Sequence, residues 1–379
     1  MPNTKGAWIL NEVRDQILCN DWAQYTGSYE LWDWGAGNVG TLGQNDVVTR
    51  SSPTQLPGTG WKEISGSTTH TFSIKTDGTL WAWGCNLEGQ LGVNDRVNRS
   101  SPIQIPGTQW CQISAGASLS AGVRDDNTLW FWGSGTSGSS GTNANSVIRS
   151  SPTQIPGTTW CQVSVGDLYM LALRTDNTLW SWGAGTNGRT GLNITTARSS
   201  PIQIPGSWCK VKATELGSSF AIKTDNTLWA WGAASSGVLG DNTVVAKSSP
   251  VQIPGTTWCD IASEACNSLG LKTDGTLWAW GYNVQGQLGD GTNVSKSSPV
   301  QVPGTNWIKA SAGNCHSMGL RSDNTLWMWG QNGGGALGID CNVSTAHRSS
   351  PVQLPGIYWN KVCGTGSGAN GRSFAIKLI

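Results

Sequence analysis

The 379-residue chain carries 24 Lys and Arg against 23 Asp and Glu, a formal net charge of +1. That balance leaves no basic footprint for nucleic acid or an anionic membrane surface, and no apolar run approaches the roughly 20 residues needed to span a bilayer. With 51 Gly and 23 Trp but only 4 Phe, the aromatic mass sits in one residue type, the mark of a copied unit.

Residues 1–28 stand outside any repeat. Their apolar stretch is too short for a secretory leader. Trp8, Ile9, Val13, Ile17 and Leu18 fall at helical spacing among Asn11, Glu12, Arg14, Asp15 and Gln16. Two roles fit such a segment: a cap on the edge of its own domain, or a docking helix that engages a larger assembly.

From residue 29 onward the pattern Leu-Trp-x-Trp-Gly recurs seven times, with its first Trp at Trp32, Trp81, Trp130, Trp180, Trp229, Trp278 and Trp327. A third Trp follows each Pro-Gly turn, at Trp61, Trp110, Trp160, Trp208, Trp258, Trp307 and Trp359. Within one unit, alternation predicts strands at Trp110 to Ala115, Ala121 to Arg124 and Leu129 to Trp132. Pro102 to Ile105 represents the fourth strand in its own repeat. Turns such as Asp77-Gly78 and Asp274-Gly275 are hairpin signals. A four-stranded antiparallel unit repeated at this interval predicts an all-β fold, a seven-bladed β-propeller.

The ends fit ring closure. The chain enters at Leu31 to Gly35 without the two strands that should precede it, and finishes with Trp359 to Gly364 and Ser373 to Ile379, the two that are missing. Pairing them gives a two-plus-two seam that hides both loose sheet edges. Residues 29–379 are therefore expected to form one propeller.

Leu277 to Gly281 (LWAWG), Asn283, Gly286 to Thr292, Ile113 to Gly116 and His316 to Leu320 resemble the regulator-of-chromosome-condensation (RCC1) repeat family, in a style similar to bacterial and phage members. The resemblance implies the seven-bladed fold. Eukaryotic members of that family promote nucleotide exchange on a small GTPase. The wedge-like insertion they use has no counterpart in the uniform loops of this chain.

Several residue sets are candidates for function. A basic residue precedes each Ser-Ser-Pro (Arg50, Arg99, Arg149, Arg198, Lys247, Lys296, Arg348), and another ends each second strand (Lys75, Arg124, Arg174, Lys223, Lys272, Arg321, Lys377). Such periodicity points to loop anchoring rather than to a cationic ring for phosphate. Cys111, Cys161, Cys209 and Cys259 recur at one position, as small buried hydrophobes too far apart to bridge. Neither a zinc spacing nor a nucleophile motif is present, so no catalytic residue, metal or cofactor is expected.

Up-and-down strand order puts the first-to-second and third-to-fourth connections on one face. The first carries His70, Leu119, Tyr169, Ser218, Asn267, His316 and Arg372 at equivalent positions. The second is a long loop, at 36–48, 85–98, 134–148, 184–197, 233–246, 282–295 and 331–347, in which Tyr282 is the aromatic exception. Differing residues on a rigid frame mark a recognition rim. The expected function is a non-enzymatic structural or recognition scaffold, most simply a virion component (decoration, fibre or adhesion protein). It would bind other proteins of an assembly and present that rim to a host surface glycan or receptor. The alternative is a cytoplasmic regulator that binds a GTPase or another protein.

Overall fold

A computed structural model describes residues 28–339, 346–366 and 370–379. The segment with Trp8, Ile9, Val13, Ile17 and Leu18 lies outside these residues. The described chain folds into seven four-stranded antiparallel sheets arranged as the blades of a propeller. Six blades follow the chain in order. Blade 1, for example, runs Trp61–Gly66, His70–Lys75, Leu80–Gly84 and Arg99–Gln104 from the inner to the outer strand. Blade 2 opens at Trp110–Ala115, and its second strand is Leu119–Arg124, two residues longer than the sequence pattern suggests. Blades 3 to 6 open at Trp160, Trp208, Trp258 and Trp307.

The seventh blade is the predicted seam. Trp359–Thr365 and Arg372–Leu378 supply its inner and second strands, and Tyr29–Gly35 and Arg50–Gln55 its third and outer strands. Tyr29–Gly35 pairs with Arg372–Leu378 residue for residue, from Tyr29 opposite Leu378 to Gly35 opposite Arg372. Every outer strand carries a proline (Pro53, Pro102, Pro152, Pro201, Pro250, Pro299 and Pro351). The missing donor keeps these exposed edges from pairing with another sheet.

The core lies between blades. Leu119, Val123, Leu129 and Phe131 of blade 2 close on Trp160, Val163, Met170 and Trp182 of blade 3, all essentially inaccessible. The second Trp of each motif is fully buried, from Trp34 and Trp83 through Trp329. It meets the inner-strand Trp edge to face, as Trp110 and Trp132 do at 5.7 Å between centroids. Its indole N–H donates across the interface to a loop carbonyl of the preceding blade: Trp83 to Thr41 O at 2.9 Å, Trp132 to Gln90 O at 2.9 Å, Trp280 to Val238 O at 2.8 Å. The same carbonyl accepts a second bond from a Ser or Thr hydroxyl of that following blade, as Ser120 Oγ does to Gln90 O at 3.0 Å. Two donors on one acceptor clasp each blade to its predecessor. Blade 3 has Met170 at the hydroxyl position and keeps only the indole bond from Trp182 to Ser139 O.

The residue between the two tryptophans is buried in every blade and is Ala82, Ala230 or Ala279 in three of them. In the seam blade it is Asp33. Gln44 Nε2 donates to one of its oxygens at 2.9 Å, while the other, Oδ1, has no partner. Burial pushes this carboxyl up to about 8. A folded pKa raised above the ordinary value means that stability is full at acid pH and is lost as pH climbs from about 4 through 8. Asp33→Ala is therefore expected to stabilise the chain by about 1–2 kcal/mol at pH 8. The gain should shrink toward pH 4 when melting curves are compared.

Candidate interaction face

The antiparallel order of the strands sets the short inner connections and the long loops on the same face. Among the described residues, six of the long loops are tied by a backbone bond to the outer strand of the next blade. In blade 5, Asn283 Oδ1 accepts the Leu288 N–H at 2.9 Å and its amide reaches the Thr292 and Val294 carbonyls. The loop then crosses to the next blade, where the Gly291 N–H donates to Ser349 O at 2.8 Å. In blade 3 the crossing is so close that a Cβ on Gly188, at φ +75°, would sit 2.3 Å from Ser248 Cα. Only glycine fits there.

The structure corrects the position of the seven expected rim residues. His70, Leu119, Tyr169, Ser218, Asn267, His316 and Arg372 are all buried, at 0–2% exposure. Most bridge blades. His70 Nε2 meets Ser120 Oγ at 2.9 Å, Tyr169 Oη takes the Ser219 hydroxyl at 2.9 Å and donates to Ser218 O at 2.8 Å, and Asn267 Nδ2 donates to Ser317 Oγ at 3.0 Å. His316 Nε2 meets Ser373 Oγ at 3.0 Å, and Arg372 closes the seam by donating to Ser67 O at 2.7 Å and Thr68 O at 2.5 Å. Leu119 packs in the core between blades 2 and 3, and Ser218 donates to Ala233 O within its own blade. These residues vary because several side chains can span the same gap. Tyr282 is half-buried beside the Cys266 carbonyl, which accepts its N–H at 2.9 Å.

Two of these bridges place serine against histidine, as in a nucleophile and base, but both pairs are sealed from solvent. Burial holds His70 down to about 3 and His316 to about 4, so both rings are neutral in the folded chain. Their folded pKa values lie below the unfolded one. The stability they support is full above about 6.5 and is lost as pH falls toward 4, by up to about 1.4 kcal/mol per pH unit for each ring. The raised carboxyls of Asp33 and Glu264 act in the opposite sense over this range, so the comparison carries the test: from pH 7 to pH 5 the melting temperature of the parent chain should fall relative to that of a His70→Gln, His316→Gln double variant.

The cation closing each second strand is held by two tryptophans. The Arg124 guanidinium lies 4.5 Å from the Trp110 ring and 4.4 Å from Trp130, and Lys223 Nζ lies 3.9 Å from Trp229. The cations before Ser-Ser-Pro anchor loops where an acid is near: Arg50 to Asp46 at 2.8 Å, Arg99 to Asp95 at 2.5 Å, Lys247 to Asp241 at 3.3 Å. The repeated cysteines are not buried. Cys111, Cys161 and Cys209 are exposed, because each is the extra residue of a bulge beside its inner-strand Trp, which turns the side chain outward.

What the frame leaves free is concentrated on the loop face. Eleven of the fifteen exposed large apolar side chains among the described residues stand there, among them Val47, Leu87, Leu216, Val244, Val284 and Val294. The charges that break the repeat gather at the mouth of the central channel on the same side. Glu215 accepts the Thr68 N–H at 3.0 Å, and Glu264 faces Lys212 at 3.6 Å. Burial pushes Glu264 up to about 7 and raises Glu215 and Asp167 above the usual carboxylate range. Sequence reading missed this cluster: Glu215 and Glu264 share one repeat position and Asp167 lies one residue off it, but most repeats have Gly or Ser there, so no acidic pattern stands out. Among the described residues no group of three or more His, Cys, Asp or Glu could hold a metal ion, and no helix is long and apolar enough to cross a membrane.

The RCC1-like domain family matches residues 27–373. Yeast Prp20p (Saccharomyces cerevisiae), described with its binding properties to Gsp1p and histones, is similar in structure at a TM-score of 0.81 and 18% identity, over 93% of this chain and 92% of its own. Human WBSCR16 is similar at 0.79 and 20% identity, over 92% and 98%. Yeast RCC1 (Prp20) bound to Kap60 is similar at 0.80 and 19% identity, over 100% and 95%. No curated protein matches the sequence.

Proposed function

Because the chain belongs to the RCC1-like domain family, we propose that it is a non-enzymatic protein-binding scaffold of the cell interior, a regulator that engages a GTPase or another protein through its loop face. One observation carries this reading: the exposed apolar side chains are concentrated on the face that also bears the irregular charges. Leu87, Leu216 and Val244 stand at loop positions that most of the other repeats fill with a polar residue or a small one, so the frame itself does not require them. Apolar groups ringed by polar ones are what a protein interface uses. Prp20p, of the same fold, has protein partners, which supports the regulator over a virion component. The relatives named above offer no counterpart for a virion role or for glycan attachment.

Photo-crosslinking in the organism that encodes the chain tests the proposal. A benzoylphenylalanine at Leu216 or Val244 is expected to trap discrete protein adducts, and one at Tyr358, exposed on the opposite face, is not. Equal adducts at Tyr358, or none at the loop face, would remove the basis of the reading. If the trapped partner is a GTPase, release of its labelled GDP in the presence of the chain tells exchange from simple binding.

A further inference from the structure

Along the outer wall between blades 3 and 4 runs a cavity of about 590 Å³, lined by Leu192, Ile194, Ile202, Trp229, Arg198 and by Lys223, whose ammonium is already held over the Trp208 and Trp229 rings. Its origin lies in one position of the repeat. In the seam blade and in blade 1, the residue four before the Ser-Ser-Pro arginine is an aspartate, and it forms the ion pairs Asp46–Arg50 and Asp95–Arg99. In blade 3 that residue is Ile194. A single change thus removes the carboxylate and lays a hydrocarbon wall in its place. Arg198 keeps one bond, to the neighbouring Ala197 carbonyl at 3.4 Å, and has no acidic partner among the described residues. Arg149 and Lys296 also lack an acid, but the residues four before them are Asn145 and Thr292, both polar.

We propose that this groove binds a linear peptide segment of a partner protein, in which an aspartate or glutamate stands beside an aromatic or branched apolar residue. The peptide carboxylate takes, from outside, the place that Asp95 holds within its own loop, and a guanidinium accepts such a group through two parallel N–H bonds. The adjoining apolar side chain fills the space between Ile194, Leu192 and Trp229. The site rests on the reading of the chain as a protein-binding scaffold, and it lies where the long loop of blade 3 meets the outer strands of blades 3 and 4.

The test is selection of a displayed library of random short peptides on the full chain, followed by fluorescence-polarisation titration of the enriched sequences. Enrichment of an acidic residue next to an apolar one is expected. Changing that acid to its amide, or the chain by Arg198→Gln, should weaken binding about tenfold or more. Ile194→Asp restores the pair found in blade 1 and should weaken it equally, with melting temperature confirming that the variant is folded. A charge exchange, Arg198→Glu with lysine in the peptide, should recover part of the loss. Enriched peptides without a carboxylate, no enrichment at all, or unchanged binding to Ile194→Asp would each overturn the proposal. None of these results bears on crosslinks trapped at Leu216 or Val244, so the two readings fail separately.

Discussion

Deleting residues 370–379 is expected to leave a chain that no longer melts cooperatively and elutes as aggregate. These residues hold the second strand of the seam blade, which pairs with Tyr29–Gly35 on one side and Trp359–Thr365 on the other. Its loss opens two strand edges in the middle of the molecule and uncovers the core that Phe374 and Ile376 share with Leu31, Leu56, Trp61 and Trp83. Each large side chain taken from the core costs about 1.5–3 kcal/mol. The lost ladder bonds, and Arg372 with its two carbonyl partners, add to that. The total exceeds the ~5–15 kcal/mol by which domains are stable. Size-exclusion chromatography and near-ultraviolet circular dichroism read the result directly. A monomeric product with a sharp melting transition would mean that six blades hold without closure.

The largest effect of a single residue is expected at Trp132. The ring is fully buried, stands 5.7 Å from both Trp110 and Phe72, and donates to Gln90 O at 2.9 Å. Trp132→Ala leaves a cavity between blades 1 and 2 and removes one of the two donors on that carbonyl, a cost of about 3–5 kcal/mol. Trp130, half-buried on the same strand, makes the internal comparison. Its ring mainly stacks on Arg124 and its N–H donates to Thr128 Oγ1 at 2.8 Å. Trp130→Ala should cost clearly less, and denaturant unfolding of the two variants separates them.

The ring, the seven blades and the seam were all legible in the sequence, because the tryptophans that build the core recur at nearly constant spacing and the orphan strands at the two ends complete one another. The face that carries the loops was legible from strand order alone. The side chains on it were not. His70, Tyr169, Asn267 and Arg372 differ from one another, and variation read as freedom suggested a surface. In the structure they are alternative ways to cross one gap, each long and polar at its tip, and a linear sequence does not reveal that the tip ends on the next blade. Bulge geometry likewise turns Cys111 outward, although its position beside a buried Trp reads as interior. The groove beside Ile194 did leave a signal. Comparing the residue four before Arg198 with Asp46 and Asp95 exposes a missing carboxylate, and that comparison needs the repeats aligned by partner rather than by motif.

The clasps also set an order in time. In six blades the indole and its carbonyl are 42 or 43 residues apart in the chain, and the acceptor is always synthesised first. A nascent chain can therefore complete each clasp as the following blade leaves the ribosome. At the seam the polarity is reversed: Trp34 is made early and its acceptor, Ala336 O, comes 302 residues later. Closing that longer span costs about 2 kcal/mol more in chain entropy than any other clasp. It is also the most non-local of the clasps, and long-range contacts of this kind slow folding. Maturation of the protein thus ends with one late, long-range step, and until it occurs the first strands made wait with an unpaired edge.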